Sequence, residues 1–180
     1  MSDVREHAEV PGGMVVGHDG SRCAQEALAW ALTVAARGHW PVHVVRAWSM
    51  TSCPRPASAT PGFVPPLADW EASVAAELRG HVAEVQAGRD VEVTCQVVHA
   101  APARAMVEAS SAADLVVVGA RGRGGFRGLL LGSVSNQVVE HAHAVTACKQ
   151  GGAEMGSDEP AAACDKDGRH GRKAFRHRAR

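Results

Sequence analysis

Five glycines and three arginines are crowded into residues 119–128. The run before them, residues 115–118, is short and rich in valine, which is typical of a strand buried on both faces. A helical pattern follows Gly132, and Ser133 is its predicted N-cap. A strand, a glycine-rich loop and a helix start, in this order, offer backbone N–H groups and the positive end of a helix dipole to an anion. The chemistry that this stretch predicts is therefore anion binding, most often of a phosphate.

The loop matches neither of two common phosphate-binding loops. A Walker loop needs a lysine next to its final serine or threonine, but the sequence holds no lysine before Lys149. The dinucleotide fingerprint G-x-G-x-x-G fits Gly122 and Gly124 but fails at Arg127, where the third glycine should stand. A different spacing of glycines therefore has to carry the prediction.

That spacing is Gly119, two residues, Gly122, nine residues and then Gly132-Ser133, and it resembles the ATP-binding signature of the universal stress protein family. The flanking segments DLVVVG, RGRGGF and LLLGSVSNQVVEHA are similar as well. The resemblance covers about residues 13–143. It implies an α/β, Rossmann-like fold with a single doubly wound, five-stranded parallel sheet of order 3-2-1-4-5. The alternative is that the glycines only make a flexible crossover.

The first strand delivers an acid to the cleft that this fold implies, between strands one and four. Asp19 follows the apolar run at residues 14–17 and so stands at a strand's carboxyl end, where open α/β sheets bind ligands. The resemblance places Asp19 beside the adenosine. The residue types also allow Asp19 and Ser21 to cap the next helix, and both interpretations can hold together.

The resemblance implies the other contacts of the nucleotide. Backbone N–H groups of Gly122 and Gly132-Ser133 would hold the phosphates, the Ser133 and Ser135 hydroxyls would add bonds, and two loop arginines would neutralise charge. The complete set of predicted binding residues is Gly17, Asp19, Ala47, Val118, Gly119, Arg121, Gly122, Arg123, Gly132, Ser133, Val134 and Ser135.

Alternating strands and helices must position these residues, which predicts right-handed βαβ units and a parallel sheet. The predicted strands cover residues 14–17, 42–47, 91–98 and 115–118, and the predicted helices cover residues 22–37, 69–86 and 103–109, with a fourth after Ser133. Gly38 is the predicted stop of the first helix.

Residues 51–67 hold five of the nine prolines and are predicted to form a surface loop. Ala100 stands where the family has glycine, which would cost about 1 kcal/mol if that turn needs a positive φ.

Both ends of the chain differ in composition from the domain predicted over residues 12–149. Residues 1–11 and 150–180 are polar and predicted to be disordered. After His143 the family pattern is lost and Val145 is the one strong strand former before two glycines, so the fifth strand is predicted to be weak. A reading-frame shift near His143 and natural divergence both account for this change. The shortened edge predicts a homodimer weaker than is usual for the family, or a monomer.

Composition narrows the class of protein. The net charge is zero, which does not favour nucleic acid or membrane surfaces as partners. The five cysteines are scattered, and no apolar run approaches the ~20 residues of a membrane span, so a cytoplasmic protein is predicted.

The resemblance implies an ATP-binding stress-response or regulatory protein. Its metal would be Mg²⁺ brought by ATP, since the histidines show no ligand spacing. A nucleotide-free interaction module and a slow ATPase remain alternatives; the second lacks a visible base or lysine.

Overall fold

A computed structural model describes residues 4–124, 131–143 and 145–149. The predicted disordered tail at residues 150–180, residues 1–3 and loop residues 125–130 lie outside the described residues. The elements along the chain are β1 (Met14–Gly17), α1 (Arg22–Gly38), β2 (Val42–Trp48), α2 (Leu67–Gln86), β3 (Val93–His99), α3 (Pro102–Ala109), β4 (Leu115–Gly119), α4 (Ser133–His141) and β5 (Val145–Lys149).

The strands form a parallel sheet in which β1 lies between β2 and β4 and β3 lies outside β2, so the predicted α/β fold and the order 3-2-1-4 are confirmed. β5 runs parallel beside β4, from Leu115 opposite Val145 to Gly119 opposite Lys149. Gly17 at the end of β1 is in register with Val45 on one side and Val118 on the other. The carboxyl ends of the three central strands therefore meet at one edge of the sheet.

Apolar side chains on both faces of the sheet hold the helices. On one face Met14 and Val16 of β1 pack in a core cluster with α1 and α2, which contribute Leu28, Leu32 and Leu78. On the other face Val15 joins a second cluster whose helical members include Met106 and Val138. Alternate residues of a strand point to opposite faces, so an unbroken run of buried valines is what a sheet covered on both sides requires.

The end of α1 differs from its prediction. The helix continues through Gly38, and His39 takes the left-handed cap conformation with a φ of 52°. The N–H of Trp40 bonds to the carbonyl of Ala35 at 3.2 Å, and the Trp40 indole lies 3.5 Å from where a Gly38 Cβ would stand. The positive φ therefore falls one residue later than the glycine.

Three other local features can be compared with their predictions. α3 begins at Pro102, one residue before its predicted start, because a proline lacks a donor and suits the first helical turn. The strain suggested for Ala100 does not arise, because His39 is the only non-glycine with a positive φ in the described part of the chain. Residues 51–66 contain turns without helix or strand, as predicted.

The segment before β1 was predicted to be disordered, but its described part packs along β3. The Gln96 side chain accepts from the Glu9 N–H at 2.8 Å and donates to the Glu9 carbonyl at 2.7 Å. The N–H of His99 donates to the carbonyl of Arg5 at 2.8 Å, and Val10 packs on the second core cluster. These contacts come from residues about 90 positions away, so local composition did not reveal them.

Candidate functional site

A cavity of about 640 Å³ opens at the sheet edge where β1, β2 and β4 end. Its lining contains every predicted binding residue: Gly17, Asp19, Ala47, Val118, Gly119, Arg121, Gly122, Arg123, Gly132, Ser133, Val134 and Ser135. The fold thus brings residues from four separate segments to one place. Their part in binding a nucleotide remains a prediction.

The start of α4 corrects the predicted cap. Gly132, not Ser133, is the N-cap, and no side chain caps the helix in the described part of the chain. The Gly132 carbonyl accepts the first helical bond, from Asn136 N–H at 2.9 Å, while its own N–H donates to the Ala120 carbonyl at 2.8 Å. The Gly132 N–H predicted for phosphate is therefore already used.

The backbone N–H groups of the next three residues remain available to an anion. The N–H groups of Ser133, Val134 and Ser135 belong to the first turn of α4 and have no partner among the described residues. They line the cavity at the positive end of the helix dipole. The Ser135 hydroxyl, in contrast to its predicted role, is buried and donates to the Gly119 carbonyl at 2.7 Å. It fixes α4 to the end of β4.

The three signature glycines are needed for different reasons. A Cβ at Gly119 would lie 2.8 Å from the backbone C and O of Cys23, so this glycine lets β4 pack on the start of α1. A Cβ at Gly122 would lie 2.5 Å from Asp19 Oδ2, so this glycine lets the acid reach the loop. At Gly132 the nearest atom would be 3.5 Å away, which is ordinary contact. The fold itself therefore does not demand a glycine at position 132.

Asp19 joins the β1–α1 turn to the glycine-rich loop. Its Oδ1 accepts from the Ser21 N–H and its Oδ2 accepts from the Arg123 N–H, both at 2.9 Å. Burial alone would raise the pKa of Asp19, but the hydrogen bonds from Ser21 and Arg123 outweigh it and hold the pKa below its ordinary value. Ser21 caps α1 as predicted, accepting from Ala24 N–H at 3.2 Å. A carboxylate oxygen accepts two hydrogen bonds, so Asp19 keeps capacity for a ligand hydroxyl.

An ion-pair chain beside the cavity was not predicted. Glu77 on α2 bonds to the guanidinium of Arg123 and lies 3.1 Å from that of Arg46, which is only 2% exposed. Burial would raise the pKa of Glu77, but the two arginines outweigh it and lower the pKa. The signal in the sequence was an arginine on a strand where Val42 and Val44, on the same face, are buried. A charge at such a position needs a partner.

One part of the cavity lining is apolar. Val45, Ala47, Pro102 and Met106 line it together with Val118. A Cβ at Gly17 would lie 3.1 Å from Met106 Sδ, so the glycine leaves room for Met106 over the end of β1. Pro102 and Met106 were not predicted as site residues, because only the register of α3 against the strand ends brings them there. An apolar wall and unpartnered N–H groups in one cavity suit a ligand with an aromatic ring and an anionic group.

These features define the class as a doubly wound, Rossmann-like α/β protein with a ligand cavity at the point where the strand order reverses. The chain belongs to the universal stress protein family, whose model matches residues 13–148. Universal stress protein Rv2005c of Mycobacterium tuberculosis is 40% identical over 139 residues, which cover 76% of this chain and 43% of that protein. This chain spans about two-fifths of the length of the curated relatives that it matches.

Solved structures of universal stress proteins share the fold of this chain. UspA from Lactobacillus plantarum has a TM-score of 0.62 at 21% identity, covering 79% of this chain and 100% of that one. A universal stress protein in complex with cAMP has a TM-score of 0.55 at 25% identity, covering 79% and 98% of the two chains. None of the described helices is long and apolar enough to cross a membrane.

Proposed function

We propose that this chain binds ATP in the cavity at the carboxyl ends of β1, β2 and β4. The observation that carries the proposal is the start of α4, where the N–H groups of Ser133, Val134 and Ser135 line the cavity without a partner among the described residues. Three adjacent donors at a helix N-terminus form an anion site, and the neighbouring Gly132 lets a phosphate come close to the backbone.

The remaining contacts follow from the shape of the cavity. The apolar wall around Ala47, Met106 and Val118 suits the adenine ring, and Asp19 has lone pairs left for a ribose hydroxyl. Arg121, which is exposed within the loop, supplies positive charge to the phosphates. Mg²⁺ would arrive with the triphosphate. A family member that is 25% identical was solved with a cyclic adenine nucleotide, which supports the choice of base.

The proposed biological role is a cytoplasmic stress-response or regulatory one. Cys23, Cys53 and Cys95 are free thiols, which suits a reducing compartment. We include in the proposal the complete family sheet of order 3-2-1-4-5, with β5 at the edge beside β4.

Binding without turnover is the expected behaviour of the purified chain. Asp19 is held by two backbone N–H groups, and its remaining lone pairs are assigned to the ribose. Both nitrogens of the His18 ring are engaged by Gln25 and Gly20, so the proposal leaves neither residue as a general base. Thermal unfolding should show stabilisation by ATP, about 2.7 kcal/mol at 100 times its Kd. Adenosine without phosphate should stabilise less.

Hydrolysis should stay below the ~1 s⁻¹ of ordinary enzymes in the same samples. A Gly132→Val variant prepared in parallel controls for contaminating ATPases. No stabilisation by any adenine nucleotide would support a nucleotide-free interaction module instead, and turnover at ordinary enzyme rates that the loop variant abolishes would support an ATPase.

Self-association through the β5 edge is expected to be weak. β5 has five residues, or ~17 Å of strand, and so offers few free backbone groups to a partner strand. Light scattering at micromolar concentration should give mostly monomer, and the amides of Val116 and Val117 should exchange faster than those of Val15 and Val16. A stable dimer with fully protected β4 amides would contradict this expectation.

A further inference from the structure

His18 directly follows β1 and is almost completely buried, with 3% of its surface exposed. Its Nδ1 accepts a hydrogen bond from the Gly20 N–H at 3.2 Å. Its Nε2 lies 2.9 Å from Oε1 of Gln25 on α1. Both ring nitrogens are therefore engaged, one by the β1–α1 turn and one by a helix.

The partners fix which nitrogen carries the proton. A backbone N–H can only donate, so Nδ1 must present a lone pair to Gly20. The amide nitrogen of Gln25 donates to the His81 carbonyl at 2.8 Å, which leaves its Oε1 as the acceptor facing His18. Nε2 therefore carries the hydrogen. This arrangement is satisfied only by the neutral ring.

Charged and titratable groups from every packed element face this ring. The centroid of the His81 ring of α2 lies 5.1 Å from that of His18. The Gln25 side chain, which contacts His18, also donates a hydrogen bond to the Glu84 carboxylate of α2. Arg46 of β2 disfavours the charged form of His18, whereas Asp19 favours it. Burial has the largest effect and lowers the pKa of His18 below its ordinary value.

The turn held by His18 also holds the glycine-rich loop. Gly20 has a φ of +81°, and a Cβ on it would collide with the Arg123 guanidinium, so the loop lies directly against this residue. Asp19, immediately before it, accepts from the Arg123 N–H. Two hydrogen bonds, joined by the peptide bond between Asp19 and Gly20, therefore connect the His18 ring to the Arg123 backbone.

We propose that His18 is a positioning residue for the glycine-rich loop, and that adding a proton to its Nδ1 releases the β1–α1 turn and, through Asp19, the Arg123 end of the loop. A protonated Nδ1 and the Gly20 N–H are two donors facing each other, so the turn must move or the ring must leave its site. Coupling to ligand affinity rests on the proposed function, whereas the coupling of ring to loop does not.

The sign of the pH dependence follows from the lowered pKa. The unfolded chain, with an ordinary histidine pKa of about 6.5, takes up this proton more readily than the folded chain. The contribution of His18 to the free energy of unfolding is therefore lost as the pH falls below about 6.5, and the loss is complete once the pH is below the folded pKa. Release of the glycine-rich loop is likewise favoured as the pH falls.

The first test uses the nucleotide-free chain and NMR spectroscopy between pH 7.5 and 5. The His18 ring should show the Nε2–H tautomer at neutral pH, and the Gly20 and Arg123 amide signals should shift with the midpoint of the ring. In His18→Asn, whose side-chain oxygen can accept near the Nδ1 position without titrating, those shifts should disappear. An Nδ1–H tautomer, or a ring that titrates while the Arg123 amide stays still, would overturn the proposal.

The second test compares ATP affinity in two matched variants. His18→Asn restores an acceptor near Nδ1, whereas His18→Gln places its amide near Nε2 and leaves the Gly20 N–H without one. The Asn variant should bind several-fold more tightly than the Gln variant at pH 7.5. The affinity of wild type relative to His18→Asn should fall toward acid, by at most about tenfold per pH unit for one proton. The phosphates of ATP titrate equally for both proteins and cancel in this ratio.

His7→Gln provides the control, because His7 is exposed and pairs with Glu108 away from the cavity. It should keep the wild-type pH profile. Identical profiles for wild type and His18→Asn, or equal affinities of the Asn and Gln variants, would refute the positioning role. If no variant binds ATP at any pH, the proposed function fails, and the NMR titration still decides whether the ring controls the loop.

Discussion

Replacing Gly132 by valine is expected to weaken ATP binding by roughly 100-fold while leaving the fold intact. The backbone at Gly132 has a φ of −73° and a ψ of 163°, an extended conformation that valine adopts readily. A Cβ there meets nothing closer than 3.5 Å in the unliganded chain. The branched side chain would instead fill the space through which a phosphate reaches the N–H groups of Ser133 and Val134.

The magnitude follows from the bonds that would be lost. A hydrogen bond to a charged group contributes about 1.5–3 kcal/mol, so losing one or two of them costs ~3 kcal/mol. At about 1.4 kcal/mol per tenfold change, that is roughly 100-fold in Kd. Calorimetric titration of wild type, Gly132→Ala and Gly132→Val should give a graded loss. Unchanged affinity in a valine variant with wild-type circular dichroism would show that the phosphates bind elsewhere.

Replacing Gly119 by alanine is expected to lower the free energy of unfolding by about 2–3 kcal/mol, at the upper end of the usual effect of overpacking. The added Cβ would stand 2.8 Å from the backbone of Cys23 and 2.9 Å from the N of Ala24. Those atoms belong to the first turn of α1, which cannot retreat as the end of a flexible side chain could. α1 or the end of β4 would have to move.

Chemical denaturation measures this change, and Gly80→Ala is its matched control. Gly80 is exposed within α2, and a Cβ there meets nothing within 4 Å. The same substitution should therefore stabilise the chain, by up to ~1 kcal/mol from helix propensity. Opposite signs for the two variants would locate the cost at Gly119 in packing. A loss below about 0.5 kcal/mol at Gly119 would mean that α1 is packed more loosely than the structure indicates.

The parts of the fold that could be predicted are those that follow from short local sequence patterns. Buried valine runs marked β1, β2 and β4, because a parallel sheet covered on both faces needs apolar residues at consecutive positions. The glycine spacing marked the loop, and together with Asp19 it located the cavity. These signals lie within a few residues of the features that they predict.

The parts that could not be predicted depend on contacts between distant residues. Glu77 meets Arg123 from 46 positions away, and the Arg5–Val10 segment is held by Gln96 and His99. The predicted N-cap of α4 was wrong by one residue. Both glycine and serine are common N-caps, so the pair Gly132-Ser133 does not show which of them precedes the helix. The use of the Gly132 N–H by Ala120 depends on how the loop folds back, which spacing alone does not reveal.

The most direct test of the central claim is an amide chemical-shift titration of the labelled chain with ATP, and with adenosine as the matched ligand without phosphate. The predicted result is a saturable change at the amides of Ser133, Val134 and Ser135 with ATP. Adenosine should leave these signals in place while still shifting the amides of Ala47 and Val118 in the apolar wall. ATP binding that leaves the three α4 amides unshifted, or no saturable change anywhere in the cavity, would contradict the claim that the start of α4 holds the phosphates.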